Sequence, residues 1–203
     1  MDRDSLERDA GGGAVMRRAG WVLAVMATAV LSGCGDDDPP IGCDVCPPPG
    51  YPALTTPQNT LEAMQKAYVA RDSVEAKQVY DPSYVGNSTN LNDPPGSQVS
   101  TFRFSDEVDH VVALAKSTTI SSILLDFGPS SSWTRLSSDD PSHPEWAVLQ
   151  IGVGAFHAEI YDGPTLYSAQ STYPMTFTFI PTVVAPGDTT WKIVRWNEIG
   201  SGI

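Results

Sequence analysis

The 203 residues, 41% hydrophobic and 18% charged, suit one folded domain with appendages, and 17 glycines and 17 prolines call for long irregular stretches beside it. The formal charge is −12, and residues 1–33 hold four acids against four bases, so the remainder of the chain carries all of it. Its lysines and arginines are scattered singly with no basic stripe, which excludes nucleic acid as a partner because phosphate binding needs clustered cations.

Residues 1–15 (MDRDSLERDAGGGAV) are acidic and glycine-rich, an odd n-region for a secretory signal, and this predicts that translation starts at Met16. Arg17 and Arg18 then precede an apolar run from Ala19 to Leu31 and the small residues Ser32-Gly33 before Cys34. That order is a signal peptide, and the run falls short of the roughly 20 apolar residues of a spanning helix. Leu31-Ser32-Gly33-Cys34 resembles the lipobox of bacterial lipoproteins, which implies diacylglycerol transfer to the Cys34 sulfur and cleavage just before it. Two acyl chains make a stable anchor, so the expected location is the cell envelope, with the membrane as a partner through the lipid. Gly35 after the cysteine lacks the acidic mark of inner-membrane retention, which favours the outer membrane in a host with two membranes.

Residues 34–54 read as a tether. GDDDPPIGCDVCPPPGYP has almost nothing to bury, and eighteen proline-rich residues extend to roughly 55 Å at about 3.1 Å each. Cys43 and Cys46 lie within it as C-x-x-C. A low-pKa redox cysteine wants a helix N-terminus and a zinc site wants four ligands; three prolines follow this pair and no second pair exists, so a small disulfide loop is the favoured reading over redox or metal chemistry. Asp36-Asp37-Asp38 lacks the spaced ligands of a calcium loop and serves solubility.

The domain is expected over residues 55–203. Thr55 or Thr56 caps a helix from about 57 to 71, with Pro57 at its first position and Leu61, Met64, Ala67 and Tyr68 on one face. Ser73 caps a short second helix that ends at Asp81-Pro82. Residues 86–101 read as loop, and Ser105 caps a third helix that buries Val108, Val111, Val112 and Ala115. Strands follow: Thr119 to Phe127, a long one from Trp146 to Tyr161 with Gly152 and Gly154 as bulges, and two alternating runs at 172–179 and 191–196. Helices first and then an antiparallel meander give an α+β class.

Thr56-Pro57 to Leu61, Ala67-Tyr68-Val69-Ala70-Arg71-Asp72, Val79-Tyr80-Asp81-Pro82-Ser83-Tyr84-Val85 and the closing Trp191-Lys192-Ile193-Val194-Arg195-Trp196 resemble nuclear-transport-factor-two-like (SnoaL-like) domains over about residues 55 to 200. The resemblance implies N-terminal helices packed on a strongly curved antiparallel sheet, a cone in the manner of the cystatin-like α+β roll, with a pocket that family members use for catalysis, binding or neither. The ketosteroid isomerases of this superfamily carry a carboxylate base shortly after the second helix. The stretch Tyr84-Val85-Gly86-Asn87-Ser88 has no acid, and Met64 stands where those enzymes carry a hydroxyl donor, so an isomerase mechanism lacks base and oxyanion partner.

Candidate pocket residues are Asp126, His157, Glu159 and Tyr68, the first three as one polar group on two strands. Trp196 is the candidate for an apolar dimer face. Asp106, Asp109 and His110 read as a solvated helix face, His143 as a residue of an exposed polar loop, and Trp133 either caps the pocket mouth or packs onto the sheet. No metal site, cofactor or catalytic residue is implied, since G-x-S-x-G, phosphate-cradling glycine loops and H-E-x-x-H are all missing. The expectation is a non-catalytic, membrane-anchored lipoprotein binding a small apolar ligand or an envelope partner. The alternatives are a pocket enzyme of hydrolase or cyclase type and a homodimeric assembly subunit.

Overall fold

The computed structural model describes residues 50–185 and 188–200; the start at Met16, the lipobox Cys34 and the Cys43–Cys46 pair lie outside them. Helix α1 spans Pro57–Ala70, capped by the Thr56 side chain, which accepts from the Asn59 amide at 3.1 Å. Its apolar spacing buries Leu61, Met64, Ala67 and Tyr68 as the sequence predicts. Helix α2, Ser73–Val79, is capped by Asp72 rather than Ser73, because the Asp72 carboxylate accepts from both Val74 and Glu75 amides at 3.0 Å. Residues 50–54, which composition assigns to the tether, dock on the domain: Tyr51 donates to Asp72 at 3.0 Å and the Leu54 carbonyl accepts from the Trp191 amide at 2.7 Å.

The stretch 86–101 is not loop. Strands β1 (Tyr80–Asn90) and β2 (Val99–Arg103) pair antiparallel through it, and the turn occupies only 91–98. Polar composition hides this hairpin because its side chains bond one another across strands instead of burying apolar surface: Asn87 donates to Asn197 at 3.1 Å and Thr101 donates to Asn87 at 3.0 Å. Helix α3 runs Phe104–Lys116, and Asp106 accepts from the Arg103 amide at 2.7 Å at its start. Its buried face is Glu107, Val111 and Leu114, rotated from the expected Val108, Val111, Val112 and Ala115.

Strand β3 (Ile120–Asp126) follows, then a single 3-10 turn at Ser130–Ser132 and a short β4 (Thr134–Leu136). The long strand expected from Trp146 to Tyr161 is two strands, β5 (Ala147–Ile151) and β6 (His157–Asp162). Gly154, at φ 73°, turns the chain between them, so the glycines end a strand where bulges were expected. Strand β7 (Thr165–Gln170) completes a hairpin with β6, and β8 (Met175–Ala185) and β9 (Asp188–Gly200) are long partners.

Two sheets result. One has the order β2-β1-β9-β8-β5-β4 and the other β3-β6-β7. All pairings are antiparallel except β1 with β9, which run parallel, so the sheet is mixed where a pure meander was expected. Alternation along β8 sends Met175, Phe177 and Phe179 inward, where α1 packs on β3, β5 and β9. Phe177 lies 5.3 Å from Phe127 and 5.0 Å from Trp196, ring centre to ring centre. The result is an α+β roll with helices on the concave side of a curved, largely antiparallel sheet.

Candidate functional site

A cavity of about 120 Å³ lies between the two sheets and the helices. This space holds several waters or a ring-sized apolar group. One wall is apolar: Ile123 and Leu125 of β3, Ala158 and Ile160 of β6, and Ala169 of β7. Register explains it, since Leu125 faces Ala158 and Ile123 faces Ile160 across the ladder, and period two puts these pairs on one side. The other wall is mixed, with Tyr68 of α1, His110 and Leu114 of α3, Ser88 of β1, and Trp196 and Glu198 of β9.

Behind the mixed wall sits buried Glu107, 6% exposed, with its Oε2 3.7 Å from Nδ1 of His110. Tyr68 and Tyr80 share a hydroxyl hydrogen bond of 3.1 Å, Tyr80 donates to the Met64 sulfur, and the Tyr80 and Tyr84 rings meet edge to face at 4.8 Å. Burial pushes the phenols of Tyr68, Tyr80 and Tyr84 well above their ordinary value, and the Glu107 carboxyl nearby adds to this, so all three remain proton donors. Gly86 makes room for this cluster, because a methyl there would fall on the Tyr84 hydroxyl. Glu198 keeps some accessible surface but is densely surrounded, and that enclosure lifts its carboxyl above the usual range, with Ser88 opposing and Glu107 reinforcing the shift. Nε2 of His110 and Nε1 of Trp196 are buried without a hydrogen-bond partner among the described residues.

Of the sequence candidates, Tyr68 lines this cavity. Asp126, His157 and Glu159 do come together, but on the opposite side of the small sheet: Asp126 pairs in register with His157, and His157 Nε2 contacts Glu159 Oε1 at 3.2 Å, while the alternating Ala158 and Ile160 point to the cavity. Asp126 also accepts from the Gly128 amide at 2.9 Å and closes that turn. Trp196, assigned to an outward dimer face, is 6% exposed and packs on Phe177. Pairing with Phe177 in register puts it on the inner side, so it offers no dimer patch.

His110, read as solvated, lies on the cavity side of α3 with its side chain 13% exposed. His143 is half-exposed, stacked on Trp146 at 4.3 Å and 3.1 Å from Glu145 Oε1. Trp133 packs inward and donates to the Phe127 carbonyl at 2.8 Å. Glu198, Glu107 and Ser88 escaped the sequence reading. The available signal for Glu198 was period two beyond Trp196, which carries the inner face of β9 on to residue 198. Among the described residues no group of three His, Cys, Asp or Glu is placed to hold a metal ion.

No family model matches the chain, and no curated protein does. Several solved structures are similar. A nuclear transport factor 2 (NTF2-like) superfamily protein from Salmonella enterica shares 13% identity at a TM-score of 0.46, over 72% of this chain and 89% of its own. A conserved protein from Planctomyces limnophilus shares 12% at 0.47, over 72% and 94%. A ketosteroid isomerase-like protein from Erwinia carotovora atroseptica shares 12% at 0.40, over 72% and 94%. The fold assignment itself rests on the strand order and helix packing above.

Proposed function

We propose that this chain is a lipid-anchored envelope protein whose domain binds a small, mainly apolar ligand without transforming it. The observation that carries the reading is the cavity: apolar over one wall, with Glu198, Ser88 and His110 grouped on the other. Pockets that hold small molecules have this composition, mostly apolar with a few convergent polar groups. The hydrolase or cyclase alternative was assigned to Asp126, His157 and Glu159, whose place on the outer side of the small sheet separates them from the cavity. For the assembly alternative, Trp196 supplies no exposed apolar patch, because it is buried.

The test is to fill the cavity. Ala158→Phe puts a ring where Ala158 lines it, on a strand whose backbone pairing is unaffected. Small molecules co-purifying with the protein from its native host are identified by mass spectrometry of denatured samples, wild type beside variant. The expected result is a compound present with wild type and lost from a variant that keeps its circular dichroism spectrum. A folded Ala158→Phe protein that retains the same compound would show that the ligand sits elsewhere.

A further inference from the structure

The mixed wall carries the Glu198 carboxyl and the Ser88 hydroxyl, with Nε1 of Trp196 as a donor beside them. Glu198 and its β1 neighbour Ser88 stand in register on adjacent strands, and among the described residues that line the cavity none is Lys or Arg. Nε2 of His110 is buried there without a partner among the described residues, while its Nδ1 lies 3.7 Å from Glu107. Aromatic rings of Tyr68, Phe156 and Trp196 line the same space. An anionic head group entering here would meet the Glu198 carboxyl, with the Glu107 carboxyl behind the same wall. A cation would find the Glu198 carboxyl and aromatic faces, the combination that attracts organic ammonium ions.

We propose that the cavity selects an organic cation, a small amine with an apolar body about the size of one ring, whose ammonium lies against Glu198 and the aromatic rings while the body packs on Leu125, Ala158 and Ile160. This rests on the reading of the cavity as a ligand site and names the ligand's chemical class. The groups facing Glu198 are Ser88 and Tyr84 from β1 and Glu107 from α3, with His110 and Tyr68 in the same wall.

The test titrates the full chain in detergent, against a detergent blank, with three probes of matched body: 2-phenylethylammonium, 2-phenylethanol and 3-phenylpropionate. At neutral pH the ammonium is expected to bind about tenfold more tightly than the alcohol, as one charge-assisted contact gives, and the carboxylate more weakly than either. Glu198→Gln should remove the ammonium's advantage over the alcohol. A carboxylate that binds as well as the ammonium, or an advantage that survives Glu198→Gln, overturns the cation proposal while leaving the ligand site intact. The wild-type ranking stands as a test even should the variant fail to fold. Failure of all three probes to bind would overturn both the cation proposal and the ligand-site reading.

Discussion

Glu198 is a carboxyl held where a carboxylate is costly, and its effect on stability has a definite sign. Its folded-state pKa lies above the ordinary glutamate value, chiefly through burial. Below the ordinary range both folded and unfolded chains keep the proton and the group contributes no difference. As pH rises through that range the unfolded chain releases its proton first, so the folded state loses ground until pH passes the raised value. Gln has nearly the same shape, can still accept from Ser88, and carries no charge to desolvate. Glu198→Gln is therefore expected to raise the melting temperature at pH 7.5, and the gain should vanish by about pH 3, where glutamate is protonated in either state. Thermal unfolding of both proteins across that interval checks it. A gain of the same size at both ends would assign the effect to packing instead of charge.

At the scale of elements, the mixed wall depends on where α3 and β3 are fixed relative to α1, and Arg71 is one of the fasteners. Arg71 ends α1 at φ 56° and its guanidinium donates to the Ser117 carbonyl at 3.3 Å and the Ile120 carbonyl at 2.9 Å, at the end of α3 and the start of β3. Its left-handed backbone costs a non-glycine residue about 1 kcal/mol, while each hydrogen bond from a charged donor contributes about 1.5–3 kcal/mol. The bonds outweigh the strain. Wild type should therefore be most stable, Arg71→Gly next, because it relieves the backbone but loses both bonds, and Arg71→Ala least. Denaturant unfolding gives the order, and Arg71→Gly exceeding wild type would sink it.

Fastenings of this kind are what the sequence concealed. The helical spacing of Leu61, Met64, Ala67 and Tyr68 and the alternation of Met175, Phe177 and Phe179 were legible because burial follows the period of the backbone. The β1–β2 hairpin was not, since Asn87, Thr101 and Asn197 exchange hydrogen bonds in place of apolar contacts. Nor was the rotation of α3, where Glu107 takes a core position beside three tyrosines that no local pattern brings together. Tyr68 was legible as a cavity residue because it belongs to a clear helical face; Glu198 required knowing how far β9 runs.

For the whole molecule the question is where the cavity works. The described domain begins by Tyr51, which donates to Asp72, so the proline-rich spacer proposed to connect it to the anchor ends there. A lipidated Cys34 on such a spacer would hold the start of the domain within roughly 50 Å of the bilayer, at about 3.1 Å for each extended residue. A soluble small amine diffuses freely over that distance, so the proposed anchor would serve retention in the envelope rather than capture from the lipid. Two separable outcomes follow. Cys34→Ala should shift the protein from the membrane fraction to the soluble one and remove acyl mass from the mature N-terminus, because one missing sulfur abolishes both chains. The same variant should bind 2-phenylethylammonium as wild type does, since the substitution leaves unchanged the described residues that line the cavity. Fractionation and intact-protein mass spectrometry read the first outcome and calorimetry the second. Unchanged membrane association without acyl mass would overturn the anchor, whereas an affinity that fell with the lipid would mean that the bilayer itself takes part in delivering the ligand.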